Sequence, residues 1–178
     1  FHYLLQAMQE ILQNCPEAYI KVAGISVLGV NGIKSRIKIS AYGKYLRRLI
    51  LKNRLEGKVR VLGNLSAEEM KREYLSAQIF VCPSAVENSP NSVAEGQLLG
   101  VPVAASRTGG IPDVVKDGVS GLLFEKGNIH ELAACVSRIL TDKQLAKELS
   151  ASERETAAKL YNGENNYQKL IEIYQSIE

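Results

Sequence analysis

The chain has 178 residues, of which 46% are hydrophobic and 23% charged, and its formal net charge is +3; this is the composition of one folded domain rather than of a disordered segment. Its cysteines, Cys15, Cys82 and Cys135, form no Cys-x-x-Cys pair, which argues against a disulfide framework and favours a reducing cytosol. No apolar run reaches the roughly 18 residues of a membrane span, and the chain begins at Phe1 without a methionine, so we expect a soluble fragment of a longer protein.

Helical and extended patterns alternate along the chain. In chain order they predict a helix over 2–14, a strand over 19–23, a loop over 25–40 with a short strand over 36–39, a helix over 41–53, a strand over 59–62, a helix over 66–76, a strand over 79–82, a helix ending at Gly100, a strand over 101–105, a helical turn over 111–115, a strand over 121–124, two helices of about 12 and 17 residues, and a last helix over 164–176. This alternation predicts an α/β fold, with a parallel sheet covered by helices on both faces. Ligands in such a sheet bind beyond the carboxyl ends of the strands.

Three capping boxes mark helix starts within this pattern. They begin at Ser66, Asn128 and Thr141, each followed three residues later by Glu or Gln. We therefore expect these three residues to be the N-caps of their helices.

A basic segment runs from Lys34 to Arg60, with ten basic residues against the single acid Glu56. Part of it is an amphipathic helix whose apolar face carries Leu46 and Leu49, so a solvated surface is the first interpretation. The functional alternatives are attraction to an anionic membrane surface, which is the second interpretation, or to a nucleotide ligand. Nucleic acid is the third, because no nucleic-acid motif accompanies the charge.

The stretch from Val81 to Gly100 combines a buried strand, a polar loop and a short helix. Ser89 stands where an N-cap belongs, Pro90 where the first helical residue belongs, and Gly100 where a left-handed cap would end the helix. We expect this helix to start beside the strand ends, where ligands bind in α/β sheets.

Two carboxylates, Glu87 and Glu95, frame this helix start. Free amides of Asn91, Ser92 and Val93 would suit phosphate oxygens there, and flanking carboxylates would suit hydroxyl groups. The pattern alone favours the simpler interpretation, that both are solvated acids near a helix start, where negative charge is mildly stabilising.

The residues Glu87 and Glu95 are followed by Leu98-Leu99-Gly100-Val101-Pro102-Val103-Ala104-Ala105-Ser106 and by Gly109-Gly110-Ile111-Pro112-Asp113-Val114-Val115. This arrangement resembles the carboxy-terminal domain of retaining glycosyltransferases of the GT-B fold, family 4, over nearly the whole chain. The family's typical segment is Glu-Gly-Phe-Pro-x-x-x-x-Glu-Ala-Met. Here both acids and the proline are kept, and the departures are Asn88, Ser89, Gly96 and Gln97.

The resemblance implies that residues 1–178 form the nucleotide-sugar-binding domain of a GT-B enzyme, one Rossmann-like half without its amino-terminal acceptor domain. It implies transfer of a sugar from a nucleotide diphosphate sugar to a glycan or lipid-linked acceptor, with no metal and no cofactor beyond the donor. Peripheral membrane contact at the inner face of the cytoplasmic membrane fits such an acceptor. Two alternatives remain open: a nucleotide-sugar epimerase of the same architecture, and a binding module without catalysis.

The family's roles map onto particular positions of this chain. Glu87 would be catalytic and hold donor-sugar hydroxyls, and Glu95 would hold the ribose hydroxyls. The remaining donor contacts would come from Asn88, Ser89, Pro90, Asn91 and Ser92. The nucleotide base would be lined by Leu62, Gly63, Asn64 and Leu65.

The family's domain begins with a strand and a loop, carrying an arginine and a lysine, that come before the helix predicted to start at His2. That strand lies in the middle of the sheet, so its neighbours would be left with unpaired ladder groups. We therefore expect the strands beginning near Tyr19 and Ile79 to pair directly or to recruit a substitute. We also expect the fragment alone to be inactive in glycosyl transfer.

The sequence lacks the motifs of several other kinds of functional site. The glycines around Gly29 and Gly32 form neither a Gly-x-Gly-x-x-Gly nor a Walker motif. His2 and His130 are not spaced as zinc ligands, and no nucleophile elbow is present. Cys82, at the end of a strand, is predicted to be a core residue rather than a nucleophile.

Overall fold

The computed structural model describes residues 1–24 and 40–177, so the predicted loop over 25–40 and its short strand lie outside the described residues, apart from Ser40. The elements of the described part are α1 (His2–Asn14), β1 (Ile20–Ala23), α2 (Ala41–Lys52), β2 (Val59–Gly63), α3 (Ala67–Ser76), β3 (Phe80–Cys82), α4 (Asn91–Leu99), β4 (Val103–Arg107), α5 (Ile111–Val114), β5 (Leu122–Glu125), α6 (Ile129–Thr141), α7 (Lys143–Leu160) and α8 (Gly163–Gln175). The predicted α/β fold with parallel sheets flanked by helices is confirmed.

The described strands form two separate parallel sheets. One contains β1 and β2, with Ile20 opposite Val59, and the other has the order β3-β4-β5, with Phe80 opposite Val103. β1 and β3 do not pair, and no described strand lies between them. Direct pairing of these strands, the first of the two expected outcomes, is therefore not found in the described part of the chain, and no described strand acts as the substitute.

Helices cover both faces of the three-stranded sheet, as its alternating side chains show. On one face Ala104, Leu122 and Phe124 belong to a core built mainly with α1, α2, α6 and α7. On the other face Val103 and Leu123 pack in a smaller core with α4 and α5. Burial on both faces explains why these strands read as continuous apolar runs.

The capping boxes place two helix starts correctly and one a residue early. Ser66 caps α3 with a reciprocal box to Glu69, and Asn128 caps α6 by accepting from the Glu131 amide. The N-cap of α7 is Asp142, whose side chain accepts from the Leu145 amide at 2.9 Å. Thr141 is instead the last residue of α6, and its hydroxyl donates to the Ser137 carbonyl.

Three further properties of the described helices bear on function. The apolar face of α2 is buried, with Leu46 fully and Leu49 almost fully enclosed, and Lys44, Arg48 and Lys52 are exposed as predicted for a solvated face. α8 has no buried residue and exposes apolar side chains such as Leu170 and Ile173. Among the described residues, no helix is both long enough and apolar enough to span a bilayer.

Candidate functional site

The loops that follow β3 and β4 meet at the carboxyl edge of the three-stranded sheet. Because both strands are parallel, their carboxyl ends lie at the same edge. The hydroxyl of Ser106 donates to the Ser84 carbonyl at 2.6 Å, and that of Thr108 donates to the Ala85 carbonyl at 3.4 Å. These two bonds join the loops into one surface.

Glu87 lies in this surface with both carboxylate oxygens engaged locally. Its Oε2 accepts from the Ser84 hydroxyl at 3.2 Å, and its Oε1 accepts from the Asn88 amide at 3.3 Å. The side chain is half-buried, so its orientation is restrained while part of it still faces solvent. Since a carboxylate has about four lone-pair sites, Glu87 retains acceptor capacity for a ligand hydroxyl.

Two glycines allow the backbone of the β4 loop to touch the backbone around Glu87. Gly109 has φ +52°, and a Cβ built on it would overlap the carbonyl oxygen of Glu87. A Cβ on Gly110 would overlap the carbonyl oxygen of Asn88. Only glycine permits this close approach, so the Gly109-Gly110 turn restrains the position of the backbone at Glu87 and Asn88.

The start of α4 differs from its prediction by one residue. Pro90, with ψ 87°, is the N-cap, and the helix begins at Asn91; Ser89 is not the cap. The amide of Asn91 donates to the Ser89 carbonyl at 3.0 Å and that of Val93 to the Pro90 carbonyl at 2.9 Å. Two of the three amides predicted to be free are therefore occupied, because the chain forms tight turns there. The predicted left-handed cap at Gly100 is confirmed by its φ of 68°.

Glu95 lies on the exposed side of α4, beside Tyr74 of α3. The Tyr74 hydroxyl donates to the Ser92 carbonyl at 2.9 Å. Burial is the main cause that raises the pKa of Tyr74 well above its ordinary value. The negative charge of Glu95 and a hydrogen bond between the two side chains raise this pKa further. Tyr74 therefore stays protonated and connects α3 to the first turn of α4.

The structure gives a role to Gln97, one of the departures from the family pattern, but does not explain the departure at Gly96. A Cβ on Gly96 would lie 3.6 Å from the Phe80 Cβ, an ordinary contact, so alanine would fit equally well. Gln97 is fully buried, and its Nε2 donates to the carbonyls of Val114 and Ser120 at 3.0 and 3.1 Å. Gln97 thus ties α4 to the segment after α5.

The predicted base-lining residues Leu62, Gly63, Asn64 and Leu65 lie at the carboxyl end of β2, in the other sheet. Gly63 has φ +75°, and its carbonyl accepts from the Gly24 amide at 2.7 Å. The segment leads through Ser66 into α3, whose Tyr74 contacts α4. In the described part of the chain, α3 is therefore the element that connects this segment to the Glu87 and Glu95 region.

Sequence reasoning missed Ser84, Ser106 and Arg107. Ser84 and Ser106 orient the Glu87 loop, and only their position directly after strands hinted at it. Arg107 forms ion pairs with Asp117 and Glu125, each at 3.0 Å, so its positive charge is already paired with two carboxylates of this chain. Cys82 is buried as predicted, and burial raises the pKa of its thiol, which disfavours the nucleophilic thiolate.

Residues 1–156 match the family model described as glycosyl transferases group 1. The chain is 28% identical, over 99% of its length, to D-inositol 3-phosphate glycosyltransferase of Corynebacterium urealyticum, of which it covers 40%. The chain thus spans about two fifths of the length of this curated relative.

Solved structures match the same extent of the chain. Anabaena Alr3699/HepE in complex with UDP superposes with a TM-score of 0.82 at 23% identity, covering 98% of this chain and 44% of that one. Sucrose-phosphate synthase from Thermosynechococcus elongatus superposes with a TM-score of 0.78 at 26% identity, covering 98% and 41%. The likeness to Alr3699/HepE shows a shared fold.

Proposed function

Because this chain belongs to the glycosyl transferases group 1 family, we propose that it is the donor-binding half of a retaining glycosyltransferase, which moves a sugar from a nucleotide diphosphate sugar to a glycan or lipid-linked acceptor. The observation that carries this proposal is the Glu87 loop, held by Ser84 and by the Gly109 turn at the carboxyl edge of the sheet. A restrained carboxylate at that edge suits recognition of sugar hydroxyls.

The two acids have different surroundings, which supports different roles. Glu87 is half-buried and oriented by hydrogen bonds, as a group that positions the reacting sugar would be. Glu95 is exposed one turn inside α4 and next to Tyr74, where it would accept hydrogen bonds from the ribose hydroxyls. Asn88, Ser89, Pro90, Asn91 and Ser92 would surround the donor between them.

Catalysis in this proposal is electrostatic. The leaving diphosphate gains negative charge as the glycosidic bond to it breaks, and fixed donors stabilise that charge more in the transition state than in the ground state. Within the described residues around α4, the Ser92 amide can donate to this charge, and the positive end of the α4 dipole lies beside it. The rest of the neutralisation would come from the part of the enzyme that lies beyond this chain.

Nucleoside diphosphates should bind this chain more tightly than nucleoside monophosphates, because the second phosphate reaches the α4 start. Calorimetric titration with uridine, guanosine and adenosine mono- and diphosphates measures the difference. Equal affinity for mono- and diphosphates, or binding of neither, would count against the site.

The chain incubated with a labelled nucleotide sugar should yield no transfer product.

Glu95→Gln should weaken nucleotide binding by roughly 1 to 3 kcal/mol, the scale of a lost hydrogen bond to a charged group. Glu87→Gln should weaken binding of the nucleotide sugar and leave free nucleotide unaffected. Glu68→Gln, at an exposed acid in the first turn of α3, is the matched control and should change neither affinity. If both site variants weaken the two ligands equally, the division of roles is wrong.

Peripheral membrane contact belongs to the same proposal for a lipid-linked acceptor. Its support is the exposed face of α2, which carries Lys44, Arg48 and Lys52 beside Tyr42 and Tyr45. Basic and aromatic side chains together favour an anionic lipid surface. Cosedimentation with anionic vesicles but not with neutral ones would support the contact, and equal recovery with both would exclude it.

A further inference from the structure

The hydroxyl group of Tyr74 lies between two acceptors on α4. It donates to the Ser92 carbonyl at 2.9 Å, and it also forms a hydrogen bond with the side chain of Glu95. Side chains of an α-helix lean toward its N-terminus, so the carboxylate of Glu95 returns over the turn that contains Ser92. One phenol from α3 therefore reaches both groups.

The ring of Tyr74 is held by its surroundings. Tyr74 is only 6% exposed, and its ring packs against the ring of Phe80 with the two centroids 5.4 Å apart. Phe80 in turn packs against Gly96, where a Cβ would lie 3.6 Å from the Cβ of Phe80. Packing between α3, β3 and α4 thus restrains the hydroxyl of Tyr74 at a defined position beside Glu95.

Glu95 itself is exposed, so packing does not fix its side chain. Ordering a long side chain when a ligand binds costs conformational entropy. A hydrogen-bond partner that holds the carboxylate before the ligand arrives removes part of this cost. The hydroxyl of Tyr74 is a restrained donor placed to do so.

Tyr74 acts on Glu95 as a donor. Burial above all, and then the negative charge of Glu95, raise the pKa of Tyr74 well above its ordinary value, so the hydroxyl keeps its proton. Of its two acceptors the carboxylate is the stronger, because charge strengthens a hydrogen bond. This bond occupies one of about four acceptor positions of the carboxylate and leaves about three for a ligand.

Two neighbouring hydroxyl groups of a ligand suit the acceptor positions that remain on Glu95. Each hydroxyl donates one hydrogen bond, and the two carboxylate oxygens can accept both when the carboxylate is held in one orientation. The 2′- and 3′-hydroxyls of a ribose form such a pair, whereas a 2′-deoxyribose offers only one of them. A site built to accept from a ligand hydroxyl discriminates against the analogue that lacks it.

We propose that Tyr74 is a positioning residue for ribose: its hydroxyl orients the Glu95 carboxylate so that both ribose hydroxyls can donate to it. This orientation makes the site selective for ribonucleotides over 2′-deoxyribonucleotides. Tyr74 acts through Glu95, because its own side chain is buried between α3, β3 and α4. The inference rests on the proposed function, in which Glu95 faces the ribose.

The test is calorimetric titration with uridine, guanosine and adenosine diphosphates and with their 2′-deoxy forms. Selectivity is the Kd of the 2′-deoxy form divided by the Kd of the ribose form, for the nucleotide that binds most tightly. It is measured for the unmodified chain, Tyr74→Phe, Glu95→Gln and the double variant. Tyr167→Phe, which removes the hydroxyl of an exposed tyrosine on α8, is the matched control.

The unmodified chain should bind the ribose form about tenfold or more tightly than the 2′-deoxy form, the effect of one lost hydrogen bond to a charged group. Tyr74→Phe should reduce this ratio to about threefold or less, chiefly by weakening the ribose form. It should add nothing to Glu95→Gln, because both changes act on the same contact. Tyr167→Phe should keep the full ratio.

The outcomes separate this inference from the proposed function. A Tyr74→Phe chain that keeps the full ratio, or that weakens both forms by the same factor, would overturn the inference and leave the proposed function standing. An unmodified chain that binds none of the diphosphates, or that binds both forms equally, would overturn the role proposed for Glu95 and the inference with it. If Tyr74→Phe does not fold, the NMR signal of the Tyr74 hydroxyl proton decides: Glu95→Gln should shift it, and an unchanged signal would overturn the inference.

Discussion

Gly109→Ala should reduce the affinity for nucleotide sugar at least tenfold, whereas Gly118→Ala should leave it unchanged. Both glycines have positive φ, +52° and +74°, so alanine costs about 1–2 kcal/mol of backbone strain at either site. The surroundings differ. The new methyl group at Gly109 would overlap the Glu87 carbonyl, while that at Gly118 meets nothing within 4 Å.

Calorimetric titration of both variants with the same nucleotide sugar measures this effect, and urea unfolding separates it from stability. The overlap forces the β3 and β4 loops apart, so Glu87 loses its position even where the chain stays folded. A Gly109→Ala chain that binds donor as tightly as the Gly118→Ala chain would show that the contact between the loops does not position Glu87.

A second large effect should come from Glu153, the buried carboxyl group of α7. Its Oε1 accepts from the Val103 amide at 2.8 Å, and its Oε2 has no partner within the described residues. Burial raises the pKa of Glu153 from the ordinary value of 4.5 to about 8, although the bond from Val103 acts to lower it. The carboxyl group is therefore neutral in the folded chain at pH 7.

The sign of the pH dependence follows from this shift. Above pH 4.5 the unfolded chain releases the Glu153 proton, whereas the folded chain keeps it until about pH 8. The folded state then binds more protons, so its stability falls as the pH rises through this range. At about 1.4 kcal/mol per pKa unit, the loss attributable to Glu153 between pH 5 and 8 is on the order of 4 kcal/mol.

Glu153→Gln should remove this part of the pH dependence, because the amide stays neutral. Glu155→Gln, an exposed position on the same helix paired with Lys159, should keep the pH dependence of the unmodified chain. Urea unfolding at pH 5, 6.5 and 8 gives the free energy of unfolding of each variant. A pH profile of Glu153→Gln parallel to that of the unmodified chain would contradict the assignment.

Local signals in the sequence predicted most of the elements. The Ser66 box and the Gly100 cap act within one helical turn, so residue types alone located them. The start of α4 was misplaced by one residue, because the proline ring fixes only φ, whereas the ψ of Pro90, 87°, places it outside the helix. β4 also begins at Val103 rather than at the predicted Val101, since Pro102 interrupts the apolar run before the ladder starts.

The site was predicted less completely, because its decisive contacts link distant parts of the chain. Glu87 could be proposed from the resemblance of its segment to the family pattern, but its contact with Gly109 depends on the packing of two loops. In the sequence, nothing distinguishes Glu153 from the other charged residues of an amphipathic helix. Only the fold places it against Val103.

The strand edges of β1 and β3 that are not paired with a described strand differ in their tendency to self-associate. An unpaired strand edge is a template for strands of other molecules, and natural proteins often protect such edges with lysine. β1 carries Lys21, held by Glu73 at 2.7 Å, whereas the 79–82 segment, Ile-Phe-Val-Cys, has no charge. Of these two edges, that of β3 is thus the one through which exposed chains would aggregate.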